Sequence, residues 1–208
     1  MNFEDLRKAI ENGEMDESLK VTESMLARGL SPKEIINDGI APAMEAIGEK
    51  YDRGEVFIPE LLISADAAQA VLGKLEPLLG DEGRKEKKIA LFATVKGDQH
   101  DIGKNIACMV FRGAGYEVID LGADVSPEEI VRSVKEMDVD IVGLSALLTT
   151  TMKEMKNTIK ALEDAGLRDK VKVVVGGAPV TEDFAKEIGA DMYGESPFEV
   201  VKKLKNKI

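Results

Sequence analysis

Residues 89–121 read IALFATVKGDQHDIGKNIACMVFRGAGYEVIDL, a short apolar run followed by a polar loop, a helical stretch and a second apolar run. The apolar runs extend from Ile89 to Val95 and from Glu117 to Leu121, and the helical stretch begins near Lys104. A strand, a helix and a second strand in this order predict a βαβ unit with parallel strands.

The same alternation continues toward the C-terminus. Further apolar runs extend from Asp140 to Ala146 and from Val171 to Val175, and helical stretches begin near Ser126, Thr151 and Thr181. This period predicts a parallel sheet with helices on both faces, a Rossmann-like (flavodoxin-like) doubly wound α/β fold. Ligands of such sheets bind at the carboxyl ends of the strands, so three loops are candidate sites. They are Lys96 to Gly103, Ser145 to Thr151 and Gly176 to Pro179.

The first eighty residues have helical periodicity instead. Ser31, Pro32 and Glu34 have the pattern of a helix N-terminus, with an N-cap, a proline at the first helical position and a capping-box glutamate. Pro59 falls in the first turn of a fourth helix. Four helices joined by short turns predict an N-terminal four-helix bundle over residues 1–84.

A charged segment separates the two patterns. Residues 81–88 read DEGRKEKK, which is typical of a linker between domains. We therefore expect a helical domain over residues 1–84 and an α/β domain over residues 89–208.

Composition disfavours several classes of function. Lys and Arg number 28 against 39 Asp and Glu, and the net charge of -11 opposes attraction to nucleic acid or to anionic membranes. The sequence has no apolar run of membrane-spanning length and no signal-peptide pattern, so we expect a cytoplasmic protein. The single cysteine, Cys108, is interpreted as buried packing. The expected partners are proteins or small ligands.

His100, the only histidine, lies in the loop after the first predicted strand. A phosphate-binding loop is disfavoured, because five residues separate Gly97 from Gly103 and Asn105 stands where a hydroxyl is needed. A zinc site is disfavoured because it needs three or four protein ligands. A tetrapyrrole-type cofactor needs only one axial donor, and Asp98 is placed to accept the other ring N–H of His100. The alternative interpretation, that His100 only caps or fills the loop, stays open.

Three separated elements together resemble the signature of the cobalamin-binding domains that bind their cofactor base-off with a histidine on cobalt. The elements are Asp98-x-His100-x-x-Gly103, then after 41 residues Ser145-x-Leu147, and after another 28 residues Gly176-Gly177. The segment Gly54 to Glu60 resembles the helical cap of cobalamin-dependent methionine synthase and of the small corrinoid proteins of methylamine, methanol and methoxyarene methyltransferase systems. Residues 143–152 and 176–181 resemble the methylamine-type carriers.

The resemblance implies a role for each matching residue. His100 is the axial cobalt ligand, Asp98 and Ser145 support it, and the nucleotide tail of the cofactor inserts between the sheet and its helices. Phe57 and Leu61 form the cap over cobalt. The residues implied to bind the cofactor are Gly97, Gln99, Asp101, Ile102, Gly103, Leu147, Thr149, Gly176, Gly177 and Ala178. The small ones allow close approach of the backbone, and the hydroxyls of Ser145 and Thr149 are expected to contact the inserted base or Asp98.

The resemblance also implies a function. The protein binds cobalamin or a related corrinoid and carries a methyl group on cobalt from a donor-specific methyltransferase to an acceptor methyltransferase, which uses tetrahydrofolate or coenzyme M. It has no catalytic residues of its own, and a reductive activase is a further expected partner. The alternatives are a cobalamin-binding sensor and an adenosylcobalamin mutase subunit. A signalling receiver domain is a third, but Ser145 stands where it would need an aspartate.

Overall fold

The computed structural model describes residues 2–79 and 88–205, and its first part is helical. The helices are α1 (Phe3–Glu11), α2 (Met15–Ala27), α3 (Pro32–Ile35), a π-helical segment (Ile36–Ile40), α4 (Ala41–Asp52), α5 (Ile58–Leu75) and a 3₁₀ turn (Glu76–Leu78). Because α3, the π-helical segment and α4 follow one another without a break, they form the third of four helical stretches.

The predicted start of the third helix is confirmed. The Ser31 hydroxyl accepts a hydrogen bond from the Glu34 N–H at 3.2 Å, and the Glu34 carboxylate accepts one from the Ser31 N–H at 2.8 Å. The π-helical segment was not predicted. It contains Gly39, where a Cβ would lie only 2.7 Å from Cδ2 of Leu6.

The second part contains a five-stranded, all-parallel sheet with the strand order β2-β1-β3-β4-β5. This order is the flavodoxin-like one, so the predicted fold class is confirmed. The strands are β1 (Ile89–Thr94), β2 (Glu117–Asp120), β3 (Ile141–Ser145), β4 (Lys172–Gly176) and β5 (Met192–Tyr193). The helices are α6 (Ile102–Gly113), α7 (Pro127–Glu136), α8 (Lys153–Asp164), α9 (Glu182–Glu187) and α10 (Pro197–Lys205), and a 3₁₀ turn spans Arg168–Lys170.

The core of the sheet is built from its central strands. Their side chains pack with those of α7 and α8, and removal of this apolar surface from water is the main stabilising term. The buried residues include Leu91, Ala93, Val142, Leu144, Val173, Val175, Ile130, Met155, Ile159 and Leu162. The strands that carry the candidate loops are therefore fixed by this core, although Ser145 and Gly176 at the ends of β3 and β4 are half-buried.

The chain divides into two compact units. The first contains the N-terminal helices together with Met109–Tyr116, and the second contains residues 88–108 and the described residues from Glu117 onward. The predicted linker, apart from Lys88, lies outside the described residues, so the predicted domain boundaries stay a prediction. In the part of the chain that is described, no helix is long and apolar enough to cross a membrane.

Candidate functional site

The candidate loops start side by side at one edge of the sheet. Thr94 of β1 pairs with Ser145 of β3, and Ser145 pairs with Gly176 of β4. Because the strands are parallel and these residues end them, the loops after β1, β3 and β4 leave the sheet at the same level.

Asp98 and His100 contact each other in the loop after β1. The Nδ1 atom of His100 lies 2.7 Å from Oδ1 of Asp98, and the backbone N–H of His100 donates to the same oxygen at 3.1 Å. The Asp98 side chain is fully buried, whereas that of His100 is 52% exposed. Within the described ranges, Nε2 of His100 has no hydrogen-bond partner. The ring is thus held on one side and open on the other.

The second oxygen of Asp98 joins this loop to the loop after β3. Oδ2 accepts hydrogen bonds from the backbone N–H groups of Leu147 at 2.8 Å and Leu148 at 3.1 Å, and from the hydroxyl of Thr151 at 2.8 Å. With the two bonds from His100, the carboxylate accepts five hydrogen bonds.

These bonds keep the Asp98 carboxyl ionised. Burial alone raises the pKa of Asp98, but the bonds from the Leu147 N–H, the Thr151 hydroxyl and His100 outweigh it and hold that pKa well below its usual range. An ionised carboxylate can only accept, so Nδ1 of His100 donates its proton to Asp98, and in the neutral imidazole the lone pair is on Nε2. The exposed ring nitrogen is therefore ready to bind an electron-pair acceptor.

Asp124, in the loop after β2, fixes the backbone of the His100 loop. Its carboxylate accepts a hydrogen bond from the Gly97 N–H at 2.6 Å, and its own N–H donates to the carbonyl of Asp98 at 3.0 Å. Asp124 has a φ of 58°, in the left-handed region that non-glycine residues seldom adopt. The buried Thr94 hydroxyl donates to the His100 carbonyl at 3.2 Å, so the loop is held at several points.

The glycines of the predicted signature lie in two kinds of surroundings. A Cβ on Gly103 would meet nothing within 4 Å, and one on Gly176 would lie 3.7 Å from the carbonyl oxygen of Gly194. Gly177 has a φ of 126°, and a Cβ there would lie 1.9 Å from the carbonyl oxygen of Ala146. The first two leave space at the loops, whereas Gly177 is required by the protein's own packing.

Large apolar side chains are exposed on the segments that carry Asp98, His100 and the donors to Asp98. Ile102 is 71% exposed, and Leu147 and Leu148 are 45% and 40% exposed. Ile102 and Leu147 are two of the predicted cofactor contacts. Exposed apolar side chains next to a polar loop are typical of a surface that covers a large, partly apolar ligand.

The other predicted site residues differ in how far they are buried. Ser145 and Asp101 are half-buried, whereas Gln99, Thr149 and Ala178 are exposed. The hydroxyl that contacts Asp98 belongs to Thr151. In the helical unit, Phe57 is 67% exposed and its N–H donates to the Glu60 carboxylate at 3.0 Å, while Leu61 is buried at 1% exposure.

Three further residues contribute to this region without a recognisable signal in the sequence. Thr151 lies in a run of three threonines, and only the fold shows that it is the buried one. No sequence pattern around Asp124 indicates its left-handed backbone conformation. Lys104 is buried against Asp120, although a lysine after a loop glycine would be expected at the surface.

The fold and this edge of the sheet are those of an α/β ligand-binding protein. The B12 binding domain family matches residues 88–202, and a second family with the same description matches residues 3–76. The chain therefore belongs to the B12-binding family.

Relatives with similar sequences are corrinoid proteins. The dimethylamine corrinoid protein of Methanosarcina barkeri is 42% identical over 98% of this chain and 95% of its own length. Trimethylamine corrinoid protein 2 of Methanosarcina mazei is 41% identical over 92% of this chain and 90% of its own length.

Solved structures agree with the sequence relatives. A cobalamin-binding protein from Desulfitobacterium hafniense DCB-2 matches with a TM-score of 0.86 and 34% identity, covering 100% of this chain and 99% of its own. A chain of the methanol:cobalamin methyltransferase complex MtaBC from Methanosarcina barkeri matches with a TM-score of 0.82 and 30% identity, covering 98% of this chain and 78% of its own.

The residues of the site fit a corrinoid. Its ring supplies four nitrogens to cobalt, so the protein needs to add a single donor, and the exposed His100 ring has no hydrogen bond at Nε2 among the described residues. The exposed side chains of Ile102 and Leu147 offer apolar surface to a macrocycle, and the space at Gly103 and Gly176 admits a close approach.

Proposed function

We propose that this corrinoid protein binds cobalamin or a related corrinoid with Nε2 of His100 as the axial ligand to cobalt. The observation that carries the proposal is the contact of 2.7 Å between Nδ1 of His100 and the buried carboxylate of Asp98. A metal-bound imidazole commonly donates its other N–H to a carboxylate, which fixes the ring and increases its basicity. His100 would then take the place of the cofactor's own lower base, which is the base-off, histidine-on mode.

The remaining residues have supporting roles in this proposal. Ile102 and Leu147 contact the apolar part of the cofactor, and the space beside Gly103 and Gly176 admits its displaced nucleotide tail. The roles assigned by resemblance to Ser145 and to the other signature residues stay predictions. Phe57 is proposed as the aromatic cap residue, since a large apolar side chain that is 67% exposed is available for such a contact. Leu61 is a core residue of the helical unit, so its predicted role as a cap depends on the resemblance alone.

We further propose that the protein carries a methyl group between two methyltransferases. When bound, the corrinoid supplies a cobalt centre that accepts a methyl group and gives it up. Support comes from the relatives named for dimethylamine and trimethylamine and from the structure of the methanol:cobalamin methyltransferase complex. The proposed partners are a donor-specific methyltransferase, an acceptor methyltransferase that uses tetrahydrofolate or coenzyme M, and a reductive activase. The residues of this chain hold and tune the cofactor, and each partner brings its own substrate.

The ligand assignment is tested by reconstitution with hydroxocobalamin. Wild type is expected to give the base-off, histidine-on visible spectrum, and His100→Ala is expected to lose the histidine-on features because the chain has no other imidazole. Free imidazole added to the His100→Ala protein should restore those features, which controls for damage to the rest of the site. An unchanged spectrum in His100→Ala contradicts the assignment.

The carrier function is tested with the same reconstituted protein. After reduction to Co(I), it is mixed with donor-specific methyltransferases for methylamines, methanol and methoxyarenes, each with its own methyl donor. One donor system is expected to consume Co(I) at a catalytic rate in wild type, and at least about tenfold more slowly in Asp98→Asn, which lacks the carboxylate beside the ligand. Normal corrinoid binding without methylation by any donor system contradicts the carrier function but not the ligand assignment.

A further inference from the structure

Two large apolar side chains of the helical unit are exposed at the turn that contains Gly13. Ile63 of α5 is 50% exposed, and Met15, the first residue of α2, is 42% exposed. A Cβ on Gly13 would lie 2.6 Å from Cγ1 of Ile63, so the turn between α1 and α2 packs against that side chain. The Met15 N–H donates to the Gly13 carbonyl at 3.0 Å, which places the start of α2 at the same turn.

Acidic side chains flank these two apolar ones. The four acids, all exposed, are Glu14, Asp16, Glu60 and Asp66. The first two adjoin Met15 in the chain, and the last two lie three residues before and after Ile63 on α5. Because residues three apart share a face of a helix, the second pair flanks Ile63 directly. The four acids, Met15 and Ile63 are together called the Ile63 patch.

The acids of the Ile63 patch have no cation beside them. In the described part of the chain, none of the four forms an ion pair, whereas other acids of α1 and α2 are paired with lysines. The pairs are Glu11 with Lys50, Glu17 with Lys20 and Glu23 with Lys74. Acidic side chains also outnumber basic ones over residues 2–79, so the apolar surface at Ile63 lies in a negative field.

We infer that the Ile63 patch is a docking surface for a protein whose own contact surface has apolar side chains ringed by lysine and arginine. An apolar centre within a polar rim is the usual composition of a protein–protein interface. Complementary charges at the rim speed association and select the partner. This inference rests on the proposed function, which makes the partner the donor-specific methyltransferase that methylates the bound cofactor.

The charge of the Ile63 patch disfavours two other occupants. A second copy of the chain would bring the same acids against each other in a symmetric dimer, and like charges across an interface are unfavourable. The negative surface of an anionic membrane would repel the patch in the same way. A basic protein surface is the occupant that unpaired carboxylates attract.

The apolar part of the patch is tested by binding kinetics. The full-length, corrinoid-loaded protein is titrated with the donor-specific methyltransferases for methylamines, methanol and methoxyarenes, and association and dissociation rates are measured. Ile63→Ser is expected to raise the Kd for its methyltransferase by about tenfold, mainly through faster dissociation. Leu78→Ser is the matched control, since Leu78 is 55% exposed in the 3₁₀ turn beyond the far end of α5, and should match wild type.

The acidic part is tested by the dependence of association on salt. Asp16→Asn/Asp66→Asn is expected to lower the association rate by about threefold to tenfold at low ionic strength. The difference should disappear near about 0.5 M salt, because ions screen exposed charges. Glu136→Gln/Asp138→Asn changes the charge equally at exposed positions of the α/β unit and should leave the rate within about twofold of wild type.

Circular dichroism and the visible spectrum of each variant should equal those of wild type, which shows that the variants fold and hold the cofactor. Unchanged affinity in Ile63→Ser overturns the inference, as does an equal loss in Leu78→Ser or the absence of binding to every methyltransferase tested. Dimerisation of the free protein that Ile63→Ser abolishes, measured by sedimentation equilibrium, also overturns it. If Ile63→Ser does not fold, an association rate equal to wild type in Asp16→Asn/Asp66→Asn overturns it. Binding that depends on Ile63 but leads to no methyl transfer supports the docking surface and contradicts the proposed carrier function.

Discussion

Asp98 is an acid that stays ionised although it is fully buried. Ionised carboxylates are rarely buried unless they are paired or well supplied with hydrogen bonds, and this one accepts five. Three of the donors come from the loop after β3, so the negative charge beside His100 depends on two loops. A fixed negative charge that accepts a hydrogen bond from one ring nitrogen makes the other ring nitrogen a better electron-pair donor to a metal.

The signature glycines provide a test at the scale of single residues. Gly177→Ala should destabilise the fold by roughly 3 kcal/mol or more, since it combines an unfavourable φ with a backbone clash. Gly103→Ala should leave stability unchanged or raise it by up to about 1 kcal/mol, because Gly103 lies in α6 with open space around it. The same variant should weaken corrinoid binding by about tenfold if the ligand uses that space, an effect worth about 1.4 kcal/mol.

Urea denaturation of the apo-proteins and corrinoid titration of the folded ones measure these two effects separately. Wild-type affinity in Gly103→Ala would show that the cofactor does not occupy the space beside this residue. A stable Gly177→Ala protein would contradict the packing argument for the second glycine.

The sequence predicted part of the site because that part is local. Asp98 and His100 are two residues apart in one loop, so their contact follows from the spacing once the loop is recognised. Thr151 is 53 residues from Asp98, and the choice among three successive threonines depends on how the loop after β3 turns. Asp124 depends on a backbone conformation that no neighbouring residue indicates.

At the scale of elements, the register of the sheet brings the loops together. Four of the five strands were predicted, since each has an apolar run long enough to recognise. Strand β5 was missed because it has two residues, Met192 and Tyr193, which are too few for a periodic pattern. The π-helical segment was missed for a related reason, because the change of hydrogen-bond register leaves the apolar pattern nearly intact.

The buried Lys104 of α6 pairs with Asp120 at the end of β2. We expect the replacement of these two residues to cost different amounts of stability. Its ammonium lies 2.6 Å from both carboxylate oxygens of Asp120 and 2.6 Å from Oδ1 of Asn105. The Lys104 side chain is 1% exposed and that of Asp120 is 30% exposed. Asp120→Asn leaves a buried cation without its counter-charge and should cost roughly 3 kcal/mol or more. Lys104→Met leaves a carboxylate that water can reach and should cost only about 1 kcal/mol.

Urea denaturation of both variants and of the double variant measures this difference. The double variant is expected to be about as stable as Lys104→Met, because the buried cation is absent from both. If Lys104→Met is less stable than Asp120→Asn, then packing of the aliphatic part of Lys104 contributes more to stability than its ion pair with Asp120 does.

At the scale of the whole molecule, each of the two compact units consists of two separate segments of the chain. Met109–Tyr116, which includes the end of α6, belongs to the same compact unit as the N-terminal helices. The change of periodicity near residue 81 predicts one boundary, but nothing in the sequence marks the end of α6 as part of the helical unit. A fragment that begins at Lys88 would therefore contain one piece of the helical unit without the rest.

The stability of the α/β unit should also depend on pH through Asp191. This residue precedes β5, and its carboxylate accepts a hydrogen bond from the Val173 N–H at 2.7 Å and pairs with Arg168 at 2.8 Å. Burial raises the pKa of Asp191, but the bond from Val173 and the pairing with Arg168 outweigh it, so the pKa lies below its usual value. The folded protein therefore holds this proton less tightly than the unfolded chain does.

The sign of the effect follows from that difference. Stabilisation by ionised Asp191 is fully present above the unfolded pKa and is lost as pH falls through the lower, folded pKa. Asp191→Asn should therefore lower the free energy of unfolding by about 1 to 2 kcal/mol at pH 7 and by progressively less below pH 4. Urea denaturation at pH 7, 5 and 3 measures the difference, with the exposed Asp138→Asn as the matched control. A difference that stays constant from pH 7 to pH 3 would mean that Asp191 acts through its shape and not through its charge.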